Sequence, residues 1–358
     1  MKGLVLSGGY GTRLRPLTHA GPKQLIPIAN KPNILYCIED LREAGITEIG
    51  IILGNVMPEK VEEFLGDGSK FGVKLTYIVQ GEPKGIAHAV NCAKSFMGSD
   101  SFIMYLGDNL LRNGIKAVPD LMKNEKADCV ISLSPVKEPQ RYGIAEVDKN
   151  GNVLKTVEKP REPKSNLAVI GVYAFNSTFF EVYPKVKPSW RNELEITDAI
   201  DLLIQTGHKV VAHRVEGWWK DTGKPDDILE ANHLILDDIQ ESNEGRVESG
   251  AAVIGRVKVG KGTVITGRAV VRGPAIIGEN CIIGPSSYIG PYSAIGDRCK
   301  IIAAEIEDSI IMEDSVVHLE KRLVRSLVGK NSQILSSKEL VPKGERLVVG
   351  ENTTVMLF

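Results

Sequence analysis

The fold is decided by residues 3–14, which read GLVLSGGYGTRL. Residues 3–6 are apolar and predict a buried strand, and residues 7–11 predict a glycine-rich turn directly after it. In an open parallel sheet such a turn lies at the carboxyl end of a strand, where ligands bind. Because glycine has no side chain, backbone N–H groups of the turn can approach a phosphate closely. The stretch therefore predicts a phosphate site in an α/β domain.

Two familiar nucleotide motifs are absent from this turn. No G-x-x-x-x-G-K-[ST] pattern occurs here, and Gly9 and Gly11 are followed by Leu14 where a dinucleotide-binding fingerprint has its third glycine. Taken alone, the glycines are also compatible with a simple tight turn.

The chain to about residue 220 alternates β-rich runs with amphipathic ones. This pattern predicts repeated βα units, and hence a mostly parallel mixed sheet with helices on both faces. The predicted strands are 3–6, 49–53, 75–79 and 101–106, and the predicted helices are 34–44, 59–65 and 87–96.

An internal repeat begins at Val253, where aliphatic residues recur at every sixth position. The positions are Val253, Val259, Ile265, Val271, Ile277, Ile283, Ile289, Ile295 and Ile301. The rhythm shifts after Ile301 and resumes at Ile311, Val317 and Leu323. Such periodicity predicts a parallel β-solenoid. We therefore divide the chain into an α/β domain (1–224), a bridging helix and hinge (225–245) and a solenoid domain (246–358).

Composition excludes several classes of protein. The 44 basic and 45 acidic residues nearly cancel, which argues against nucleic acid or a membrane surface as partner. The five cysteines are scattered and show no C-x-x-C spacing, so neither a disulfide framework nor a zinc site is expected. No apolar leader or membrane span is evident, and we expect a cytoplasmic protein.

A second motif, PKQLIPIANKP at residues 22–32, follows the glycine turn closely. The two motifs together resemble the signature of nucleotidylyltransferases that activate sugar 1-phosphates, and are most similar to the long-form glucose-1-phosphate thymidylyltransferases. The resemblance covers essentially the whole chain. It implies a glycosyltransferase-A-like, Rossmann-like catalytic domain and a left-handed parallel β-helix at the C-terminus.

The resemblance also implies a reaction. A nucleotidyl group passes from dTTP to α-D-glucose 1-phosphate, giving dTDP-glucose and pyrophosphate with Mg²⁺ as cofactor. Thymine and uracil differ by one methyl group, worth about 1 kcal/mol in an apolar pocket, so UTP stays open as a substrate. A UDP-sugar pyrophosphorylase is accordingly an alternative.

Charged residues suit this chemistry. Two anions must approach each other, and Arg13 and Lys23 can offset the charge that opposes them. The substrate phosphate is itself the nucleophile, so no nucleophilic side chain is required. Asp108 closely follows the predicted strand 101–106, and with Asp221 it forms the metal-binding pair that the resemblance implies. Without this context, each aspartate could equally cap a turn.

Further binding residues are implied by the resemblance. For the nucleotide they are Leu6, Gly8, Gly9, Gly11, Thr12, Arg13, Lys23, Gln80, Pro83, Gly85 and Asp108. Among these, the resemblance implies that Gln80 and Gly85 recognise the pyrimidine base. For the sugar phosphate they are Asn109, Tyr142, Gly143, Glu158, Lys159, Val169, Gly171, Tyr173 and Arg191.

Two further alternatives stay open, and the first is a bifunctional sugar-1-phosphate nucleotidylyltransferase and acetyltransferase. Hexapeptide solenoids also occur in acyltransferases, which typically use a histidine base, and His318 is the only histidine of the predicted solenoid domain. We interpret His318 as a solvent-facing loop residue and expect the solenoid to serve stability or homo-oligomerisation, as in a trimer. A non-catalytic regulatory subunit is the second alternative, against which the presence of Arg13, Lys23, Asp108, Lys159 and Asp221 argues.

Overall fold

The computed structural model describes residues 1–336. Residues 337–358, the last part of the predicted solenoid domain, lie outside the described residues. Within residues 1–336, no helix is both long and apolar enough to cross a membrane.

A nine-stranded mixed sheet forms the centre of the N-terminal region, in the order β10-β9-β11-β6-β1-β4-β5, with β8 and β12 joined through β11. The strands of this region are β1 (Lys2–Ser7), β2 (Pro27–Ile28), β3 (Lys31–Pro32), β4 (Glu48–Leu53), β5 (Lys74–Val79), β6 (Phe102–Leu106), β7 (Asn109–Leu111), β8 (Cys129–Pro135), β9 (Gly143–Val147), β10 (Val153–Glu158), β11 (Leu167–Phe175), β12 (Val210–Arg214) and β13 (Trp219–Asp221). Strands β6, β1, β4 and β5 are parallel. Strand β11 runs antiparallel to β6, β8 and β9, so the second half of the sheet is less parallel than the βα pattern predicts.

Helices cover both faces of this sheet, as the sequence predicts. They are α1 (Asn33–Glu43), α2 (Pro58–Leu65), α3 (Ile86–Cys92), α4 (Lys94–Met97), α5 (Ala117–Asn124), α6 (Phe179–Val182), α7 (Ile196–Gln205) and α8 (Pro225–Asp237). Successive side chains of β1 point to opposite faces of the sheet and pack against different helices. Val5 belongs to the apolar cluster that contains Ile38 of α1, whereas Leu4 belongs to the cluster that contains Val90 of α3. The predicted helix 87–96 is divided in two at Ala93, whose N–H donates to the Val90 carbonyl.

The repeat folds into a parallel β-helix of three stacked sheets. Its strands are β14 (Ser242–Asn243), β15 (Arg246–Val247), β16 (Ala252–Ile254), β17 (Val257–Val259), β18 (Val264–Ile265), β19 (Val270–Arg272), β20 (Ala275–Ile277), β21 (Ile282–Ile283), β22 (Tyr288–Ile289), β23 (Ser293–Ile295), β24 (Lys300–Ile302), β25 (Glu305–Glu307), β26 (Ile310–Ile311), β27 (Val316–His318), β28 (Arg322–Val324), β29 (Leu327–Val328) and β30 (Gln333–Leu335). The aliphatic repeat supplies the interior, where Ile265, Ile283 and Ile301 are stacked in register and fully buried.

The shift of the repeat after Ile301 has a structural cause. Val271 pairs with Ile289 one coil on, whereas Ile289 pairs with Ile306 and Ile301 with Val317. Later coils are therefore one or two residues shorter. Ile306 fills an interior position, although a strict six-residue repeat from Ile301 would place residue 307 there. Ile306 is fully buried.

One face of the β-helix packs against the N-terminal α/β domain. Ala294 and Ile310 of the β-helix share an apolar cluster with Leu14 and Ile28. At its edge, Asn232 of α8 accepts a hydrogen bond from Ala29 N–H and donates one to the Tyr292 carbonyl, each at 2.9 Å. The signature segment at residues 22–32 is thereby held between the two domains.

Candidate active site

The glycine turn follows β1 and packs tightly on the neighbouring turn. A Cβ atom at Gly54 would lie 2.5 Å from the Gly8 carbonyl oxygen, and one at Gly9 would lie 3.2 Å from Cε of Lys23. Gly11 adopts φ +62° and begins the short 3₁₀ turn Thr12–Leu14. The turn thus depends on glycine for close approach and for a left-handed residue, and it places Arg13 on the surface above buried Leu14.

Lys23 and Asp108 form an ion pair beside this turn. Burial disfavours the charge on each, but the partner's charge and the hydrogen bond between them lower the pKa of Asp108 and raise that of Lys23. Both groups are therefore charged at neutral pH. Lys23 lies on a 3₁₀ turn and Asp108 just after β6, so the pair joins the signature segment to the carboxyl end of the parallel sheet.

The short sheet β7–β13 brings Asp221 next to Asp108. Asp221 pairs with Asn109 in antiparallel register, so the two aspartates meet although they are far apart in the sequence. Burial, and then the negative charge of Asp108, raise the pKa of Asp221 to about 6. A Cβ atom at Gly223 would lie 2.7 Å from the guanidinium of Arg13 and 3.3 Å from the Asp221 carboxylate. All four predicted catalytic residues are thus in one place.

Several neighbours of these aspartates were not predicted from the sequence. Thr222 donates from both its N–H and its hydroxyl to the Asp108 carbonyl, at 3.0 and 2.9 Å, and accepts a hydrogen bond from Asn33. The indole N–H of Trp219 donates to the Asn109 side chain at 2.6 Å. The only sequence signal was the position of Trp219 and Thr222 beside Asp221.

A second group of predicted residues lies around Glu158. Its carboxylate is 3.5 Å from Arg191 and 3.7 Å from Lys159, and it accepts a hydrogen bond from Thr197 at 3.3 Å. A Cβ atom at Gly143 would lie 3.0 Å from the same carboxylate. Glu193 and Glu195, which also pair with Arg191, were not predicted as site residues.

The remaining predicted sugar residues differ in accessibility. The ring of Tyr142 contacts Trp219 edge-on at 5.7 Å, and Asn109 lies where a Cβ atom at Gly171 would clash at 2.6 Å. Val169 is 7% exposed. Tyr173 is 3% exposed and stacks on Phe175 in the core. Its burial leaves little ring surface for a ligand, and its role stays a prediction.

Several residues that are predicted to bind the nucleotide lie on the other side of the glycine turn. Gln80 follows β5 and is 9% exposed, and a Cβ atom at Gly8 would lie 2.6 Å from its Oε1 atom. Leu6 is buried at the end of β1. Pro83 lines a cavity of about 480 Å³ together with Tyr10 and Asn192. A larger cavity, of about 680 Å³, lies between Leu17 and Val328, and none of its described lining residues is a predicted site residue.

Gly85 connects the base side to the sugar-phosphate side. It adopts φ +106°, and a Cβ atom there would lie 2.4 Å from the carbonyl oxygen of Leu194. Leu194 N–H donates to the Lys84 carbonyl at 2.7 Å, and Ala87 N–H donates back to Leu194 at 3.1 Å. The Gly85 turn and the segment that carries Arg191 therefore form one unit.

Fold and site together are those of a phosphate-handling α/β domain with an attached β-helix. The family model described as nucleotidyl transferase matches residues 2–238, and the chain belongs to this family. The model described as the GMPPB C-terminal domain matches residues 270–356.

Individual relatives agree with this assignment. The low-salt glycan biosynthesis nucleotidyltransferase Agl11 of Haloferax volcanii is 50% identical over the full length of both chains. A glucose-1-phosphate thymidylyltransferase of Streptomyces antibioticus is 44% identical over 99% of both. Among solved structures, UDP-glucose pyrophosphorylase complexed with UDP-glucose aligns with TM-score 0.59 and 28% identity, covering 66% of this chain and 98% of that one.

Proposed function

We propose that this protein transfers a thymidylyl group from dTTP to α-D-glucose 1-phosphate, giving dTDP-glucose and pyrophosphate. The observation that carries the proposal is the convergence of Arg13, Lys23, Asp108 and Asp221 beside the glycine turn. Full-length similarity to a glucose-1-phosphate thymidylyltransferase favours this pair of substrates.

The reaction needs charge stabilisation more than covalent catalysis. A phosphate oxygen of glucose 1-phosphate attacks the α-phosphorus of dTTP, and the bond from that phosphorus to the oxygen bridging to the β-phosphate breaks. Lys23, whose side chain is 15% exposed and charged, is suited to offset charge on the phosphates of both substrates. Arg13 is exposed at the mouth of the turn and is suited to hold the departing pyrophosphate.

The two aspartates fit a Mg²⁺ ion. Within residues 1–336 there is no cluster of three or more His, Cys, Asp or Glu side chains able to enclose a metal. Mg²⁺ commonly takes only one or two protein carboxylates and fills its other positions with phosphates and water. Burial, and then the negative charge of Asp108, raise the pKa of Asp221, and a bound cation would offset both effects. When bound, Mg²⁺ would neutralise phosphate charge.

Sugar recognition is assigned to the Glu158 group. Its carboxylate can accept from neighbouring sugar hydroxyls, whereas Lys159 and Arg191 can bind the sugar phosphate. Arg191 is paired with three carboxylates in the free protein, so a phosphate must compete with them for its donors.

A substrate panel tests the proposal. Purified protein with Mg²⁺, four triphosphates and several sugar 1-phosphates should release pyrophosphate fastest with glucose 1-phosphate and dTTP, and UTP should be the next best nucleotide. Higher kcat/KM with UTP would favour the uridylyltransferase alternative. No release with any pair would support the regulatory-subunit alternative and reject the enzyme.

A second, acyl-transfer activity gains no support from the described solenoid. His318 is exposed at the end of β27, a strand rather than the loop that the sequence predicts. Homo-oligomerisation through the β-helix and a cytoplasmic location stay predictions.

A further inference from the structure

Gln80 is the start of a closed ring of polar contacts that includes two residues of α3. Its Nε2 atom lies 3.4 Å from the Gly85 carbonyl oxygen and 3.4 Å from Nδ1 of His88. The Nε2 atom of His88 lies 3.8 Å from Sγ of Cys92, and this Sγ lies 4.0 Å from the main-chain carbonyl oxygen of Gln80. The contacts thus run from the Gln80 side chain through His88 and Cys92 to the main-chain carbonyl of Gln80.

Hydrogen bonds in this ring can run in only one direction. The carbonyl oxygen of Gln80 only accepts, so the Cys92 thiol donates to it, and burial keeps that thiol protonated by raising its pKa. Cys92 Sγ can then accept from His88 Nε2–H, which leaves His88 Nδ1 without a proton. Gln80 Nε2 donates to this bare nitrogen and to the Gly85 carbonyl.

The direction of the ring fixes which end of the Gln80 amide is free. Both N–H groups of Nε2 are used inside the protein, so Oε1 is the atom directed over Gly8. The base-reading position therefore presents a hydrogen-bond acceptor. Thymine and uracil carry an N3–H donor that matches an acceptor, whereas N3 of cytosine is itself an acceptor.

We propose that His88 is a positioning residue that holds the Gln80 amide with Oε1 facing the base, so that the site selects pyrimidines with an N3–H group over cytosine. This inference rests on the proposed function. His88 does not touch the substrate and acts through Gln80. The proposed contact does not involve the thymine methyl group. It therefore discriminates against cytosine but does not distinguish thymine from uracil.

The protonation state of His88 supports this arrangement. Burial, and then the charge of Lys84, lower the pKa of His88, so the imidazole is neutral at pH 7. The groups around the ring are Lys84, Cys92 and, next to Cys92, Tyr183. An imidazolium would donate from Nδ1, which turns the Gln80 amide around and presents Nε2 to the base.

The test compares dTTP with dCTP as substrates for the wild type, His88→Leu, His88→Asn and Cys92→Ser. Leucine removes the acceptor, and the kcat/KM ratio of dTTP to dCTP should fall roughly tenfold to a hundredfold through KM, with the KM for glucose 1-phosphate unchanged. Asparagine supplies Oδ1 near the position of Nδ1 and serine keeps both hydrogen bonds, so these variants should retain most of the ratio. His208→Leu, which removes a histidine from the α7–β12 connection, is the matched control.

The pH dependence distinguishes a role of the His88 hydrogen bond from a role of its packing, since packing alone should not make the substrate preference depend on pH. The wild-type dTTP to dCTP ratio should decline as the pH falls below about 6.5, the ordinary pKa of histidine, whereas that of His88→Asn should stay flat. An unchanged ratio in folded His88→Leu overturns the inference, as does equal loss in His88→Leu and His88→Asn. If the wild type releases no pyrophosphate from any triphosphate, the proposed function itself has failed, which is a different result.

Discussion

At the residue scale, Asp221 offers the sharpest test of the catalytic assignment. Asp221→Asn keeps the size of the side chain but removes one of the two negative charges offered to a cation. We expect turnover to fall by about a hundredfold or more, and the melting temperature should not fall. The matched control is Asp227→Asn on α8, which removes a carboxylate paired with Lys220 at 3.2 Å. Wild-type turnover in Asp221→Asn would refute the metal role.

Asp40 is a second informative residue, because it is a partly buried carboxyl outside the site. It accepts a hydrogen bond from Tyr105 at 2.8 Å, and burial raises its pKa from 3.8 to about 7. The folded state therefore binds this proton more tightly than the unfolded state, and its contribution to stability declines as pH rises from about 4 to about 7.

Asp40→Asn should remove this dependence, since an amide can still accept from Tyr105 and carries no charge. At pH 8 the variant should melt several degrees above the wild type, at about 2–4 °C for each kcal/mol gained, and at pH 4 the two should nearly coincide. Glu63→Gln on the exposed side of α2 is the control. Equal melting temperatures at pH 8 would contradict the prediction.

At the element scale, the turn at Gly85 holds the base-reading and sugar-phosphate segments together. Gly85→Ala puts alanine at a positive φ, and its Cβ atom would lie 2.4 Å from the carbonyl oxygen of Leu194. The segment that carries Arg191 must therefore move. We expect kcat/KM to fall roughly tenfold and the KM values of both substrates to rise.

Gly81→Ala provides a matched control for the Gly85 prediction. Gly81 also has a positive φ, +69°, but no heavy atom of residues 1–336 lies within 4 Å of a Cβ atom placed there. It should therefore share the backbone strain, about 1–2 kcal/mol, without the steric clash. Similar kinetic losses in both variants would show that strain, and not the contact with Leu194, is responsible.

At the scale of the whole molecule, the β-helix covers the apolar side of the signature segment. Ile310 is fully buried in the cluster that contains Leu14 and Ile28, whereas Ile282 lies on another face and is 40% exposed. Ile310→Asp places an unpaired carboxylate between the domains and should lower the melting temperature by about 5 °C or more. Ile282→Asp should change it little. Equal effects would mean that the two domains do not stabilise each other through this face.

The sequence by itself determined the elements whose signals are local. Apolar runs located β1, β4, β5 and β6, the six-residue repeat located the β-helix, and the glycine turn with the signature segment led to the correct family. These signals are readable because strand burial and coil geometry impose a period on neighbouring residues. The same rule failed where local packing interrupts it, as at Ala93 and in the shortened coils after Ile301.

Only the tertiary structure decided which distant residues meet. Asp108 and Asp221 are adjacent because β7 pairs with β13, and no spacing in the sequence encodes that pairing. The ring through Gln80, His88 and Cys92 likewise depends on how α3 packs beside the end of β5. Hydrogen-bond direction and pKa follow from burial and from neighbouring charges, both of which are set by the assembled fold.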